Sequence, residues 1–228
     1  MSITVYTATF GNYGPPRDPK SVEPGVRYVC FTDHQFESDV WDIHYYKPNE
    51  ECPIRRAKKF KINPHLYGDI LRADKTIWID CSFQIMLPIT SILGTLRTDL
   101  GFVAHEYSFQ NCIYREINEC VWQEKEDPAV LLIAALRYRQ EGHPENGGLP
   151  QAGIVFRNHT NAVSHFNKAW WKEISRWSRR DQISLPVILR RLCMPFDEIY
   201  CHEVYGGRTN GTRYKRRVKK HGHRSTSF

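Results

Sequence analysis

The fold class this sequence predicts is an α/β sandwich with a central mixed, mostly parallel sheet, and three observations predict it. Short apolar segments rich in β-branched and aromatic residues recur along the chain, and most are continuous rather than alternating, the pattern of strands covered on both faces. Helical stretches lie between them, and strands alternating with helices favour a parallel sheet with a helix layer on each side. The chain has 228 residues, of which 41% are hydrophobic and 13% aromatic, enough for one large core.

Taken in order, residues 3–9 (ITVYTAT) and 26–31 (VRYVCF) read as the first two strands. Residues 53–63 follow as a helix, with Pro53 in a first-turn position where its missing N–H costs nothing. Strands are expected at 76–80 (TIWID), 101–104 (GFVA) and 152–156 (AGIVF), and helices at 112–122, 128–141, 161–177 and 180–193. Ser178 is the expected N-cap of the last helix. There is no internal repeat, and the one compositional break falls near Gly206-Gly207, which divides a domain at 1–205 from a basic tail at 206–228.

Charge is segregated along the chain. The formal net charge is +7, yet eight of the 32 Lys and Arg residues lie in 204–228, which holds no acid, leaving 24 basic against 25 acidic side chains in the body. The seven cysteines, at 30, 52, 81, 112, 120, 193 and 201, have no paired spacing and an odd total, which argues for free thiols and a cytoplasmic protein. The start of the chain lacks a signal-peptide pattern, and no stretch approaches a membrane span, so no membrane partner is expected. Walker, GxGxxG, GxSxG and HExxH motifs are absent. His105, Cys193, Cys201 and His202 have no standard zinc spacing.

Ligands of such sheets bind beyond the carboxyl ends of the strands, so polar residues just after apolar runs carry most of the information. Asp80 ends TIWI and is followed by Cys81 and Ser82. Its carboxylate can anchor a hard cation and phosphate oxygens, or it can cap a turn. Asp33, after YVCFT, can accept from a base or ribose, or simply open a loop. Lys58, Lys61 and His65 fall at i, i+3 and i+7 of one helix face, with Ala57 and Phe60 available to pack inward; cations there could face a diphosphate or only solvent. Asp181 and Gln182 sit in a first helical turn, where the helix dipole alone favours an acid. Gln151 and Gly153 enter a strand, where glycine permits close approach of a ligand or of another backbone.

Together, YTATFGNYGPPRDP, VRYVCFTD, RRAKKFKINPH, TIWIDCSFQI, GLPQAGIVFRNH and FNKAWWKEISRWSRRDQISLPVIL resemble the family once catalogued as domain of unknown function 616, a group of glycosyltransferase-like proteins. More distantly the layout looks like glycogenin-type glycosyltransferases with a GT-A fold, a Rossmann-type nucleotide-binding sandwich carrying an Asp-x-Asp motif after a central strand. The resemblance implies that Thr7, Ala8, Asn12, Tyr13 and Asp33 hold a nucleoside. It places Lys61 near the donor diphosphate, Asp80 as the first motif aspartate and Gln151 and Gly153 along the donor sugar. Asp181 with Gln182 would stand close to the reacting sugar.

Ser82 stands where the second motif aspartate is expected, and a hydroxyl is a weaker ligand than a carboxylate. A Mn²⁺ or Mg²⁺ site would then consist of Asp80, Ser82 and a distant residue such as His202. The expected reaction moves a sugar from a nucleoside diphosphate sugar, a UDP-sugar foremost, to a hydroxyl. Lys61 and Arg56 are candidates to neutralise the leaving group, and Asp181 or Glu116 to act as base if the configuration inverts. Arg213, Lys215, Arg216, Arg217, Lys219 and Lys220 form a plausible arm for double-stranded DNA, whose hydroxymethylated bases are one acceptor; a glycan or protein acceptor is another. The rival class is a non-catalytic nucleotide or nucleic-acid binding module.

Overall fold

The computed structural model describes residues 2–93, 101–105 and 110–199. The expected tail, with His202 and its six basic candidates, lies outside the described residues, as do Cys201 and the boundary near 206.

A seven-stranded sheet in the order β3-β2-β1-β4-β6-β5-β7 forms the centre. The strands are β1 (Ile3–Thr9), β2 (Val26–Thr32), β3 (Asp42–Tyr45), β4 (Lys75–Ile79), β5 (Phe102–His105), β6 (Gln151–Asn158) and β7 (Asp197–Ile199). β1 runs parallel to β2 and β4, β2 to β3, and β5 to β7, whereas β6 is antiparallel to both neighbours. The mixed, mostly parallel sheet is thus the one expected. The helices are α1 (Pro53–Ile62), α2 (Gly68–Leu71), α3 (Ile89–Leu93), α4 (Ile113–Trp122), α5 (Pro128–Gln140), α6 (Asn161–Arg176) and α7 (Asp181–Arg191), and a 3₁₀ turn, Pro64–Tyr67, follows α1.

Continuous apolar strands are explained by two covered faces. Tyr6, Ala8, Val29, Phe31, Trp78 and Val155 face a core shared with α1, α6 and α7. Their neighbours Val5, Tyr28, Cys30, Ile77 and Ile79 face a second core with Trp41, Ile85 and Ile89. All seven residues of β1 are buried, including three threonines. A satellite core joins α4, α5 and α7.

α1 ends where Asn63 and Pro64 turn the chain into the 3₁₀ segment. His65 therefore leaves the helical face that its spacing from Lys58 and Lys61 suggests. Ser178 does not cap α7 either. The residue before the helix is Arg180, which has no capping side-chain bond, and the Ser178 hydroxyl instead accepts from the Arg180 N–H at 3.0 Å.

Aromatic packing fixes α1 on the sheet. Phe60 stacks on Phe31 at 4.4 Å and on Tyr67 at 4.5 Å between ring centroids, with Phe10 and Tyr46 closing the cluster. Because Phe60 is fully enclosed, F60A should cost about 3–5 kcal/mol, read as a lower urea midpoint with an unchanged slope.

Candidate active site

Asp80 follows β4, and its position depends on the reversed direction of β6. An antiparallel β6 starts at the edge where the parallel strands end, so Gly153 lies beside Asp80 and its carbonyl accepts the Asp80 N–H at 2.8 Å. The Phe83 N–H closes the following turn on the Asp80 carbonyl at 2.9 Å. Gly153 is needed for a steric reason: a Cβ built there would stand 2.3 Å from Phe83 Cε2. The close approach left open by the sequence is thus made by an aromatic ring that packs over the strand.

One oxygen of Asp80 is committed and the other is not. Trp78 precedes it by two residues, so both side chains leave the same face, and the indole Nε1 donates to Oδ1 at 2.7 Å. Lys61 Nζ donates to the same oxygen at 3.1 Å. Oδ2 takes no bond from the described residues, and the side chain remains 39% exposed.

Lys61 is itself buried, at 4% side-chain exposure, and is shared between two acids. Its Nζ lies 2.6 Å from Asp181 Oδ2, while Lys58 Nζ lies 2.8 Å from Asp181 Oδ1 and also donates to the Arg179 carbonyl. Burial alone would raise the Asp181 carboxyl, but Lys58 and Lys61 outweigh it and hold the group well below the usual carboxylate range. Burial works against the Lys61 ammonium, and Asp181 and Asp80 more than compensate, so its pKa rises. For Lys58 burial prevails, aided by Arg180 and Lys61, and its pKa falls. The basic face of α1 is therefore an internal counter-ion layer rather than a solvated surface.

A second acid orders the neighbouring loop. Asp33 accepts the Gly11 N–H at 3.0 Å through Oδ1 and 3.3 Å through Oδ2, and Arg56 approaches Oδ2 at 3.7 Å. Gly11 has φ +68°, and a Cβ there would meet Pro53 at 2.7 Å, so only glycine fits this turn. Arg56 also lies over the Phe10 ring at 4.4 Å and donates to the Lys47 carbonyl at 2.8 Å. Asp33 and Arg56 thus hold each other and the loop. Thr9 Oγ1 donates to the Gly14 carbonyl at 2.9 Å, and the Lys20 N–H reaches the Ile85 carbonyl at 2.8 Å, which ties the loop after β1 to the segment after β4.

The remaining expected residues divide clearly. Asn12 and Tyr13 are exposed on that loop, and Ser82 is exposed two residues beyond Asp80. Thr7 and Ala8 are interior residues of β1, so any contact they make with a nucleoside runs through the backbone. Gln151 begins β6 at the same edge. Gln182 follows Asp181 in α7, and its Nε2 is buried without a partner among the described residues. Glu116 is buried on α4 and bonded by Gln110 Nε2 at 2.8 Å; burial works against the Arg180 guanidinium, and Asp181, Cys120 and, last, Glu116 outweigh it and raise its pKa. The other Glu116 oxygen takes the Cys120 thiol at 3.6 Å. Trp78 and Phe83 belong to the site without having been expected there, and the two-residue spacing of Trp78 from Asp80 was the signal available for the first; Lys58, read as facing either a diphosphate or solvent, instead pairs with Asp181, and Gly11 donates to Asp33.

A metal carried by a diphosphate fits these residues in a limited way. Mg²⁺ and Mn²⁺ often take one carboxylate with phosphate oxygens, and the uncommitted Asp80 Oδ2 and exposed Ser82 hydroxyl suit that role. No group of three His, Cys, Asp or Glu side chains able to hold an ion by itself occurs among the described residues.

Asp80 thus stands at an open strand edge above buried lysines, and comparison with known proteins gives the class: a glycosyltransferase-like domain. The family model of the TOD1/MUCI70 glycosyltransferase-like domain matches residues 56–203, well over half of the chain, and the chain belongs to that family. No curated protein matches. Among solved structures, a glycosyltransferase involved in glycosylation of the major capsid of PBCV-1 is similar over 88% of this chain and 83% of that one, with a TM-score of 0.49 and 10% identity. Likeness at that level adds nothing to the reading of the site. No helix among the described residues is long and apolar enough to cross a membrane.

The Asp181 pairs set a stability prediction. D181N removes the carboxylate of Lys58 and leaves Lys61 with Asp80 alone, and should lose about 3–5 kcal/mol at neutral pH. Because the folded-state pKa of Asp181 is depressed, its contribution is complete above the ordinary value of 3.8 and declines as pH falls below it. Thermal unfolding of the wild type should therefore show an acid loss below about pH 4 that is shallower in D181N.

Proposed function

We propose that the chain transfers a sugar from a nucleoside diphosphate sugar to an acceptor hydroxyl, with Asp80 as the anchor of the donor diphosphate and a UDP-sugar as the first donor to try. The observation that carries this reading is the Asp80 carboxylate, pinned through Oδ1 by Lys61 and Trp78 with Oδ2 uncommitted at the carboxyl edge of the sheet. Family membership supports the class of reaction.

Charge decides the roles. Lys58 and Lys61 balance Asp80 and Asp181, so the buried cluster has no net charge to set against a leaving diphosphate. A divalent cation held by Asp80 and Ser82 would supply that charge when bound with the donor. Lys61 keeps Asp80 ionised and aimed, and Asp181 keeps Lys61 in place. Asp181 is a poor proton acceptor while paired with two ammonium groups, so its part is to position Lys61. Arg56 and Asp33 hold the loop that would close on the nucleoside.

Charge segregation supports a polyanionic acceptor. The basic residues from Arg208 to Arg224 sit on one short stretch of an otherwise balanced chain, and duplex DNA with hydroxymethylated bases is the acceptor we put forward for it.

Release of free nucleotide from a sugar-nucleotide donor checks the reading. D80A should lower donor hydrolysis at least about 100-fold, and G153A, which drives a methyl group into Phe83 and shifts the Asp80 turn, on the order of 10-fold. Wild-type hydrolysis by D80A would refute the assignment. Deleting residues 208–228 should weaken duplex DNA binding at low salt while leaving donor hydrolysis intact; unchanged DNA binding would remove the acceptor proposal.

A further inference from the structure

A second polar cluster lies at the opposite edge of the sheet, where β1 and β4 begin and β6 ends. Arg157, near the end of β6, is 2% exposed, and no acidic side chain pairs with it among the described residues. Its Nε donates to Asn167 Oδ1 at 3.2 Å and its Nη1 to the Tyr6 hydroxyl at 3.3 Å, while the Phe102 ring lies 5.4 Å from the guanidinium carbon. All these partners are neutral. Burial pulls the Arg157 pKa down, but a guanidinium does not lose its proton in a protein, so the charge stays.

The groups around it are also short of acceptors. Among the described residues Arg157 Nη2 and Asn167 Nδ2 are buried donors without partners, and Thr76 Oγ1, likewise unpartnered, belongs to the residue directly opposite Arg157 in the β4–β6 register. Two imidazoles feel the Arg157 charge, and both are held toward the neutral form. His65, in the 3₁₀ turn, is lowered in pKa by burial and then by Lys168 and Arg157, and His159 by burial and then by Arg157 and His65. His159 and Lys168 are exposed. Water could accept from the unpaired donors but would bring no counter-charge, and an unpaired buried ion is costly.

We propose that Arg157 and Asn167 form an oxyanion site, with inorganic phosphate as its simplest ligand. A tetrahedral oxyanion accepts from Arg157 Nη2 and from the Asn167 amide Nδ2 at once, and supplies the negative charge the cluster lacks. The site is separate from Asp80, since Arg157 pairs with the start of β4 and Asp80 follows its end. Tyr6 links it to the active-site helix, its hydroxyl donating to the Lys61 carbonyl at 3.0 Å.

Thermal unfolding of the full chain at constant ionic strength tests the site, with sodium phosphate, sulfate and chloride compared. Phosphate and sulfate should raise Tm by about 5 °C over chloride at saturation. Because R157M removes a buried guanidinium and threatens folding, the decisive variant is N167D, which adds an internal carboxylate beside Arg157. N167D should be at least as stable as the wild type in chloride and should lose the phosphate increment. An equal Tm for the wild type in all three salts, or an undiminished phosphate increment in N167D, would overturn the proposal.

Discussion

The Lys61 ammonium, buried between two carboxylates, is the interaction on which the rest of the site depends. It joins three elements distant in sequence: α1, the turn after β4, and the first turn of α7. A buried charge is tolerated only with close partners, and here two aspartates and a second lysine settle the balance within the cluster. The helix carrying Lys61 is fixed in turn by the Phe60 stack, so the geometry at Asp80 rests on aromatic packing several ångströms beneath it.

The reversed strand β6 is the second structural condition. A parallel strand at that place in the sheet would bring its end to the site, whereas β6 brings its beginning, Gln151 to Gly153, level with Asp80. Glycine at 153 then lets the Phe83 ring lie over the strand, and the turn carrying Asp80 is shaped from both sides. On the other side of β1, Asp33, Gly11 and Arg56 order the loop with the same economy of charge. Together these contacts leave one carboxylate oxygen uncommitted at an edge where α/β sheets bind their ligands.

Much of the fold was legible because burial on two faces leaves a continuous apolar mark, as in β1 and β4. β3 left none: Asp42–Tyr45 is four residues long and no more than half-buried. The direction of β6 was not legible either, because periodicity encodes which face is covered and says nothing of direction. At the site, Asp80 stood out by its place after TIWI, but Lys58 and Lys61 read equally as a solvated charge run, since their partner Asp181 lies more than 100 residues away. Asp33 and Arg56 look open in sequence and are closed on each other in the fold. His65 was drawn to the wrong end of the sheet by a helical count that Asn63 and Pro64 interrupt.

The central claim is that the uncommitted oxygen of Asp80 holds the donor diphosphate through a divalent cation. Calorimetric titration of a nucleoside diphosphate, with and without Mn²⁺, into the wild type and D80N tests it most directly. The account predicts that Mn²⁺ tightens binding to the wild type at least about 10-fold and that D80N, still able to bind the nucleoside, loses that increment. An equal Mn²⁺ increment in D80N would contradict it.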